Sequence, residues 1–413
     1  MLQNNQRWIS AIANIDHIKQ INYATIYKVI ENNAPISRVK IAKISKLSPA
    51  SVTKITRQLL EKGIINEIDR QTSTGGRPAI SLTLNSSCIH VLAIKVGRNL
   101  LSISRYDLTG EQLANKQVII DSKNCNKLID LITSEIALAI NNKPAFSDKI
   151  SAISLTLTGL VNPKSGRMVY SLHYPFDNIP LVALIEQKFN IPTFIGNHTR
   201  ALALAEHYFG ASQDCLDSIL ISVHHGVGSG IIIQGKWLLG ENCNIGEIGH
   251  IQVNPAGKQC HCGNFGCLET EVSDNVIIEK VQRALSHGNI TSITPETLSI
   301  ENIYQAAGNN DPLCKKIVED AAAYLGKTVA ILVNLLNPEK IIIAGKITQS
   351  RSILFSAIQQ CVAQQTLSKF QNKLTIVATE LQPNSTMAAF SLIKQAIYED
   401  NLLQKMHVQT TLL

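Results

Sequence analysis

The sequence of 413 residues lacks an apolar run long enough to span a bilayer. Its apolar stretches, such as Val329–Val333, break after a few residues, whereas a spanning helix needs roughly 20. The first residues, from Met1 to Trp8, also lack the basic and then apolar order of a secretory signal. The first absence argues against a membrane span, and the second predicts a cytoplasmic location.

The cysteines do not form the even, spaced set that is typical of a disulfide-rich domain. There are nine of them, and in a cytoplasmic protein they are expected to remain thiols. Three lie close together in the segment Cys260-His261-Cys262-Gly263-Asn264-Phe265-Gly266-Cys267-Leu268-Glu269, which follows Glu247-Ile248-Gly249-His250. This spacing indicates a metal site.

Three thiolates and one imidazole suit tetrahedral Zn²⁺, and Gly263 and Gly266 permit the tight turn that returns the third thiolate to the metal. His250 is the expected fourth ligand, and His261 is the alternative. A complete shell leaves no open position for an activated water, so we predict a structural zinc ion that stiffens the loop holding Glu247 and Glu269. The predicted ligands are His250, Cys260, Cys262 and Cys267.

Acidic residues are scarce in the first 80 residues. This segment contains 12 Lys and Arg but 5 Asp and Glu, a net charge of +7, which equals the net charge of the whole chain. The other residues contain 26 of each sign. Concentrated positive charge favours a polyanion as partner.

The pattern of residues 23–84 is typical of a winged helix-turn-helix. Pro35 ends a first helix, Ser48 caps a third helix that begins at Pro49, and Gly63 ends that helix. Val52, Ile55 and Leu59 repeat at helical spacing and are expected to face a core. The predicted elements are helices over Tyr23–Asn32, Arg38–Lys46 and 49–62, and strands over Ile64–Asp69 and Ala79–Leu84.

The outer face of the third helix contains small, hydroxyl and basic residues, with no acidic residue before Glu61. This composition favours insertion into the DNA major groove over the alternative, a three-helix protein-interaction module with a solvated polar face. Arg77, in Gly75-Gly76-Arg77-Pro78, is expected to enter a narrow A·T-rich minor groove. Phosphate contacts are predicted for Lys40, Lys43, Lys46 and Ser48 at the helix N-terminus, and base-edge contacts for Ala50, Ser51, Thr53, Lys54 and Arg57.

After residue 87 the sequence alternates short strands with long helical segments. Two stretches, Val91–Ile120 and Ser218–Leu239, each read as a β-meander that leads into further α/β units. This duplication predicts an α/β architecture of two lobes, with a ligand site in the cleft between them.

Glu-Ile-Gly-His followed by Cys-x-Cys-Gly-x-x-Gly-Cys-Leu-Glu resembles the signature of ROK proteins (repressors, open reading frames, kinases), and the resemblance spans nearly the whole chain. An N-terminal winged helix marks the repressor branch of that family. The resemblance implies a two-lobe actin-like fold of the sugar-kinase type and a homodimer or homotetramer. The expected domains are 1–84 for DNA binding, 85–195 plus about 385–413 for the first lobe, and 196–384 for the second lobe with the zinc site and oligomerisation surface.

The chain departs from the kinases of the family at two motifs. Lys95-Val96-Gly97-Arg98-Asn99 stands where kinases have Asp-x-Gly-Gly-Thr, and Asn197-His198-Thr199-Arg200 stands where they have Asn-Asp-x-Asn, whose Asp is the catalytic base. Without the acidic residue that manages phosphates, phosphoryl transfer is not expected. We therefore predict no catalytic residues.

The resemblance instead implies a sugar sensor. Asn197, Glu247 and Glu269 align with residues that hold sugar hydroxyls in family kinases, as does His250 if it is not a zinc ligand. His198 would tolerate a sugar 6-phosphate, which Gly228 of the glycine-rich stretch 226–230, with His224 and His225, would bind. A vestigial nucleotide turn is the alternative for that stretch.

The stretches Pro49–Leu59 and Ala205–Asp214 resemble repressors of amino-sugar genes. The implied function is repression of amino-sugar uptake and catabolism genes at operator DNA, relieved by N-acetylglucosamine 6-phosphate. Two alternatives remain: a repressor of glucose and phosphotransferase genes that a transporter protein of the phosphotransferase system releases, and a sugar kinase with an attached DNA-binding domain.

Overall fold

The computed structural model describes residues 15–68, 80–86, 89–121, 123–141, 149–171, 173–174, 176–241, 244–382, 385–399 and 402–405. None of the helices in these ranges is long and apolar enough to cross a membrane. The chain divides into two compact units: Met1–Leu155, Leu172–Ile195 and Ala389–Leu413 form the first, and Thr156–Ser171 and Gly196–Ala388 form the second.

The first unit begins with a winged helix-turn-helix, here termed the head. Its three-stranded sheet places β3 between β1 and β2, both antiparallel to it. The first helix begins at Ile15, before the predicted start at Tyr23. Ile18 and Ile21 in these added turns are about half exposed, so the turns contribute little to the buried face of the helix. The elements are α1 (Ile15–Asn33), β1 (Ile36–Ser37), α2 (Arg38–Ser45), α3 (Pro49–Glu61), β2 (Ile65–Ile68) and β3 (Ser81–Leu84).

The rest of the first unit is built on a five-stranded sheet. Its strand order is β11-β7-β4-β5-β6, and the predicted meander forms its antiparallel half, β4 to β6. The elements are β4 (Ile89–Val96), β5 (Leu100–Asp107), β6 (Gln112–Ile119), α4 (Cys125–Asn141), β7 (Lys149–Leu157), β10 (Asp177–Ile179), α5 (Leu181–Phe189), β11 (Thr193–Asn197), α13 (Met387–Glu399) and α14 (Leu402–Lys405).

Helix α1 of the head contacts the C-terminal helices within this first unit. Lys394 of α13 forms a buried ion pair with Glu31 of α1, and the Tyr398 hydroxyl donates to the same carboxylate. The Lys62 ammonium, just after α3, donates to the carbonyl of Leu403 at 3.0 Å. The head is therefore attached to the first lobe through polar contacts between residues far apart in sequence.

The second unit is built on the sheet β14-β13-β12-β15-β16. Strand β12 pairs antiparallel with β13 and parallel with β15, and β15 pairs parallel with β16. The elements are β8 (Leu160–Asn162), β9 (Arg167–Tyr170), α6 (His198–Phe209), β12 (Ser218–Val223), β13 (Val227–Ile233), β14 (Lys236–Trp237), α7 (Glu269–Val272), α8 (Asp274–Ser286), α9 (Ile300–Gly308), α10 (Pro312–Leu336), β15 (Lys340–Ala344), α11 (Arg351–Gln365), α12 (Ser368–Gln371) and β16 (Thr375–Ala378).

Candidate functional site

Helix α3 has one buried face and one exposed face. Ser48 caps it, because its Oγ accepts from the backbone N–H of Ser51 at 3.1 Å, and Pro49 occupies the first turn. Val52, Ile55, Thr56 and Leu59 are buried. Ala50, Thr53, Lys54 and Arg57 are exposed and, with Pro49, Gln58 and Glu61, line one open concave surface.

Two contacts orient this helix within the head. The Arg38 guanidinium donates from Nε to the Thr56 hydroxyl at 3.0 Å and pairs through Nη2 with Glu67 of β2 at 2.6 Å. Arg38 therefore joins α3 to the wing strand, and sequence reasoning had not singled it out. Lys40 and Lys43 of α2 are exposed, whereas Arg77 and the predicted wing tip lie outside the described residues.

The four predicted metal ligands lie together in the second unit. Ligand atoms of His250, Cys260, Cys262 and Cys267 all fall within 4.8 Å of one another. The Cys260 Sγ is 3.6 Å from the His250 Nδ1, and the Cys262 Sγ is 3.7 Å from the Cys267 Sγ. A tetrahedral ion with bonds of about 2.0–2.3 Å separates its ligands by about 3.3–3.8 Å, so the cluster is compatible with a bound zinc ion.

Local backbone geometry closes the cysteine loop. Gly263 and Gly266 both have positive φ, and a Cβ on Gly266 would lie 1.6 Å from the Asn254 carbonyl oxygen. The alternative ligand, His261, has its Nδ1 3.8 Å from the Cys260 Sγ and 3.2 Å from a Glu269 carboxylate oxygen. Of the two histidines, His250 groups with all three cysteines, while His261 groups with Cys260 and Glu269.

The predicted effector residues Asn197 and His198 lie where β11 meets the start of α6. Asn197 caps α6, because its Oδ1 accepts from the backbone N–H of Arg200 at 3.1 Å, and its Nδ2 donates to the Gly159 carbonyl at 2.9 Å. The His198 Nδ1 is 3.4 Å from the Thr156 Oγ1. Asn197 thus has a structural role beside any role in ligand binding.

Glu247 is held by a buried cation on α6. The Arg200 Nη2 donates to Glu247 Oε1, and the Arg200 Nε donates to the Ile245 carbonyl at 2.8 Å. The side chain of Arg200 is 3% exposed and that of Glu247 is 43% exposed. Sequence reasoning had noted Arg200 only as a departure from the kinase motif.

The glycine-rich stretch is mostly strand rather than an open loop. Gly228 lies in β13 opposite Ser222, and a Cβ on Gly230 would lie 2.5 Å from the Ala203 Cβ of α6. Close packing of strand and helix therefore requires glycine at position 230. At the beginning of β13, the Glu269 Oε2 accepts from the Val227 N–H at 3.0 Å.

The two histidines before β13 contact the start of α8. The His224 Nδ1 lies 3.9 Å from Asp274 Oδ2, and the His225 Nδ1 lies 3.1 Å from Asn275 Oδ1. Burial raises the pKa of Asp274, and the hydrogen bond from Tyr304 partly opposes that shift. These contacts leave phosphate binding by the histidines a prediction.

Comparison with known proteins gives matches along nearly the full chain. The ROK family model matches residues 91–396, and a model described as winged helix-turn-helix DNA-binding matches residues 25–66. The DNA-binding transcriptional dual regulator NagC of Escherichia coli K12 is 44% identical over 393 residues, covering 95% of this chain and 97% of that protein. Proteins named N-acetylglucosamine repressor in other strains match equally well.

Two further matches also extend over nearly the full chain. The DNA-binding transcriptional repressor Mlc of Escherichia coli K12 is 32% identical over 392 residues, covering 94% of this chain and 96% of that protein. A solved ROK family transcriptional regulator, a homologue of the Escherichia coli MLC protein, has a TM-score of 0.89 at 41% identity. The structural match covers 95% of this chain and 99% of that regulator.

Proposed function

Because the chain belongs to the ROK family and is one of its transcriptional regulators, we propose that it represses amino-sugar uptake and catabolism genes until N-acetylglucosamine 6-phosphate binds. The predicted family and fold class, a winged helix-turn-helix followed by a two-lobe actin-like fold, are confirmed. The 44% identity to proteins named N-acetylglucosamine repressor supports an amino sugar as the source of the effector. Its site is proposed to contain Asn197, His198, Gly228, Glu247 and Glu269.

The structural observation that favours ligand binding over catalysis in this site is the Arg200–Glu247 ion pair. An arginine replaces the last residue of the kinase motif and engages a carboxylate expected to hold sugar hydroxyls, while His198 replaces the catalytic base. In the first unit, burial lowers the pKa of Lys95 to about 8, at the position where kinases have the phosphate-managing Asp. A cation there cannot bind Mg²⁺, so we propose a binding site without kinase activity.

The cysteine cluster is proposed to hold a structural zinc ion in the cytoplasmic protein. His250, Cys260, Cys262 and Cys267 would fill all four tetrahedral positions, so the metal would supply rigidity and no reactive water. The loop ends at Glu269, whose carboxylate contacts both His261 and the start of β13. The zinc would therefore hold Glu269 in place for the effector.

Repression would follow from paired heads in a homodimer or homotetramer. Two α3 helices in successive major grooves must match half-sites a fixed number of turns apart, so a change in head spacing disfavours binding. The effector can lower operator affinity only by its difference in affinity between the two states, typically about 1–3 kcal/mol or 5–150-fold.

A gel shift on DNA upstream of amino-sugar genes tests the proposed function. Saturating N-acetylglucosamine 6-phosphate is expected to weaken operator binding by about 5–150-fold. N-acetylglucosamine and glucose 6-phosphate are controls, each of which lacks one feature of the effector. The metabolite proposal would be wrong if the sugar phosphate left operator binding unchanged. Release of the protein from DNA by a membrane protein of the phosphotransferase system would then support the transporter alternative.

The head is tested by Arg57→Ala. Loss of a side chain that is proposed to reach base edges is expected to weaken operator binding by about 5–150-fold, corresponding to about 1–3 kcal/mol. Lys19→Ala is the matched control, because Lys19 is an exposed cation of α1 in the same head. Both variants are titrated with operator DNA at one salt concentration. If they lose the same amount of affinity, Arg57 contributes only general electrostatic attraction to DNA and no specific contact.

A further inference from the structure

Arg200 is a buried guanidinium whose described contacts all lie in the second unit. Its backbone N–H is capped by Asn197, and its side chain donates to the Ile245 carbonyl at 2.8 Å and to Glu247 Oε1. Both acceptors belong to the turn that precedes His250. One side chain of α6 therefore fixes this turn at two points.

Burial of a guanidinium is unfavourable unless its donors are satisfied and its charge is paired. The buried Arg200 Nη1 has no hydrogen-bond partner in the part of the chain that the structure describes. Among the described residues, the carboxylate that pairs with this guanidinium is that of Glu247. An apolar side chain of similar volume would supply packing but neither the hydrogen bond to Ile245 nor the charge opposite Glu247, so this cation does more than fill space.

The pair divides the Glu247 carboxylate between two uses. Oε1 is engaged by Arg200, whereas Oε2 makes no hydrogen bond with another described residue, on a side chain that is 43% exposed. A carboxylate held at one oxygen presents the other in a fixed direction, which is what recognition of a sugar hydroxyl requires.

The charge of Arg200 also changes the electrostatic balance of the proposed site. Glu247 and Glu269 place two negative charges in the proposed site, and both would repel an anionic sugar. Arg200 offsets one of them from within the protein, where solvent and salt screen the interaction poorly.

We propose that Arg200 is the positioning residue that fixes Glu247 for the effector and makes the site selective for a sugar phosphate over the neutral sugar. This inference rests on the proposed function. It assigns to Arg200 an effect on ligand choice that acts through Glu247 and does not require contact with the ligand.

Titration calorimetry on the full-length zinc-loaded protein tests the inference, with N-acetylglucosamine 6-phosphate and N-acetylglucosamine as ligands. Arg200→Met is expected to weaken phosphate binding by about 10–100-fold and to reduce the ratio of the two affinities. Arg200→Lys is expected to restore much of this ratio but less of the affinity, because lysine retains the charge without the planar fork. Arg105→Met is the matched control, since Arg105 donates to the Ala139 carbonyl in the other unit.

A double-mutant cycle with Glu247→Gln distinguishes positioning from general support. If Arg200 acts through Glu247, Arg200→Met should have little further effect in the Glu247→Gln background. Additive losses, or an unchanged ratio of the two affinities in Arg200→Met, would overturn the inference while the proposed function stands. If the wild-type protein binds neither sugar, the proposed function fails and this inference fails with it. Should Arg200→Met not fold, the same ratio measured in Arg200→Lys and Glu247→Gln decides.

Discussion

Replacing Cys260 with serine is expected to release the proposed zinc ion and to abolish the proposed effector binding. The Cys260 thiol is buried and its Sγ lies 3.6 Å from the His250 Nδ1. A serine at this position would leave three ligands and one empty position of the tetrahedral site. Structural zinc contributes an apparent binding free energy of about 10–16 kcal/mol in small zinc domains, and the loop's own backbone pairing cannot replace it. Metal analysis should fall from about one zinc per chain to near zero.

Loss of the metal should affect the two functions unequally. Glu269 follows the cysteine loop and would lose its fixed position, whereas the head belongs to the other unit and should still bind operator DNA. The resulting protein would be a repressor that no longer responds to the effector.

Cys125→Ser is the matched control for the zinc experiment. Cys125 is a partly exposed thiol of α4 in the first unit, and its replacement should leave zinc content and effector response unchanged. A Cys260→Ser protein that keeps a full zinc content, or that binds the effector as wild type does, would contradict a structural zinc role.

Lys394→Met is expected to destabilise the contact between the head and the first lobe by about 3–5 kcal/mol. Burial lowers the pKa of Lys394, and the Glu31 carboxylate opposes that shift. The charged form of this buried lysine is therefore stabilised by its contact with Glu31. Removing the cation leaves the largely buried Glu31 carboxylate without its ammonium partner, although the Tyr398 hydroxyl still donates to it. The measurement is thermal unfolding, followed by gel shifts with and without effector.

The double variant Glu31→Gln with Lys394→Met separates the charge effect from packing. Removal of both charges should recover most of the lost stability, because replacing a whole buried pair costs far less than removing one partner. Lys316→Met is the matched control, since Lys316 makes an exposed ion pair with Asp320 on α10 and should change stability by less than about 1 kcal/mol. A single variant as stable as the control would show that this ion pair does not fix the head.

Much of the head could be predicted from local sequence. Ser48 and Pro49 define the start of α3 by satisfying or removing N–H groups at the helix end, and the apolar spacing of Val52, Ile55 and Leu59 identifies its buried face. The first turns of α1 were not predicted, and their isoleucines Ile18 and Ile21 are about half exposed in the structure. The first residues of strand β6, from Gln112 to Asn115, are all exposed, so no buried alternation marks the start of this strand.

The proposed metal ligands could also be predicted, because three of them lie within eight residues and the fourth is ten residues before the first cysteine. Arg200 could not be assigned in the same way. Its partner Glu247 is 47 residues away, and nothing in the local pattern distinguishes a buried, paired arginine from an exposed one.

The amino-acid sequence by itself determined the starts of α2 and α3, the sheet-forming meanders, the basic head and the cysteine cluster. Each depends on backbone sterics, hydrophobic periodicity or ligand spacing among neighbouring residues. Only the tertiary structure decided that Lys394 pairs with Glu31, that Arg200 holds Glu247 and that Glu269 reaches the start of β13. A buried charge takes its partner from whichever surface packs against it, and that surface is set by the assembly of the whole unit.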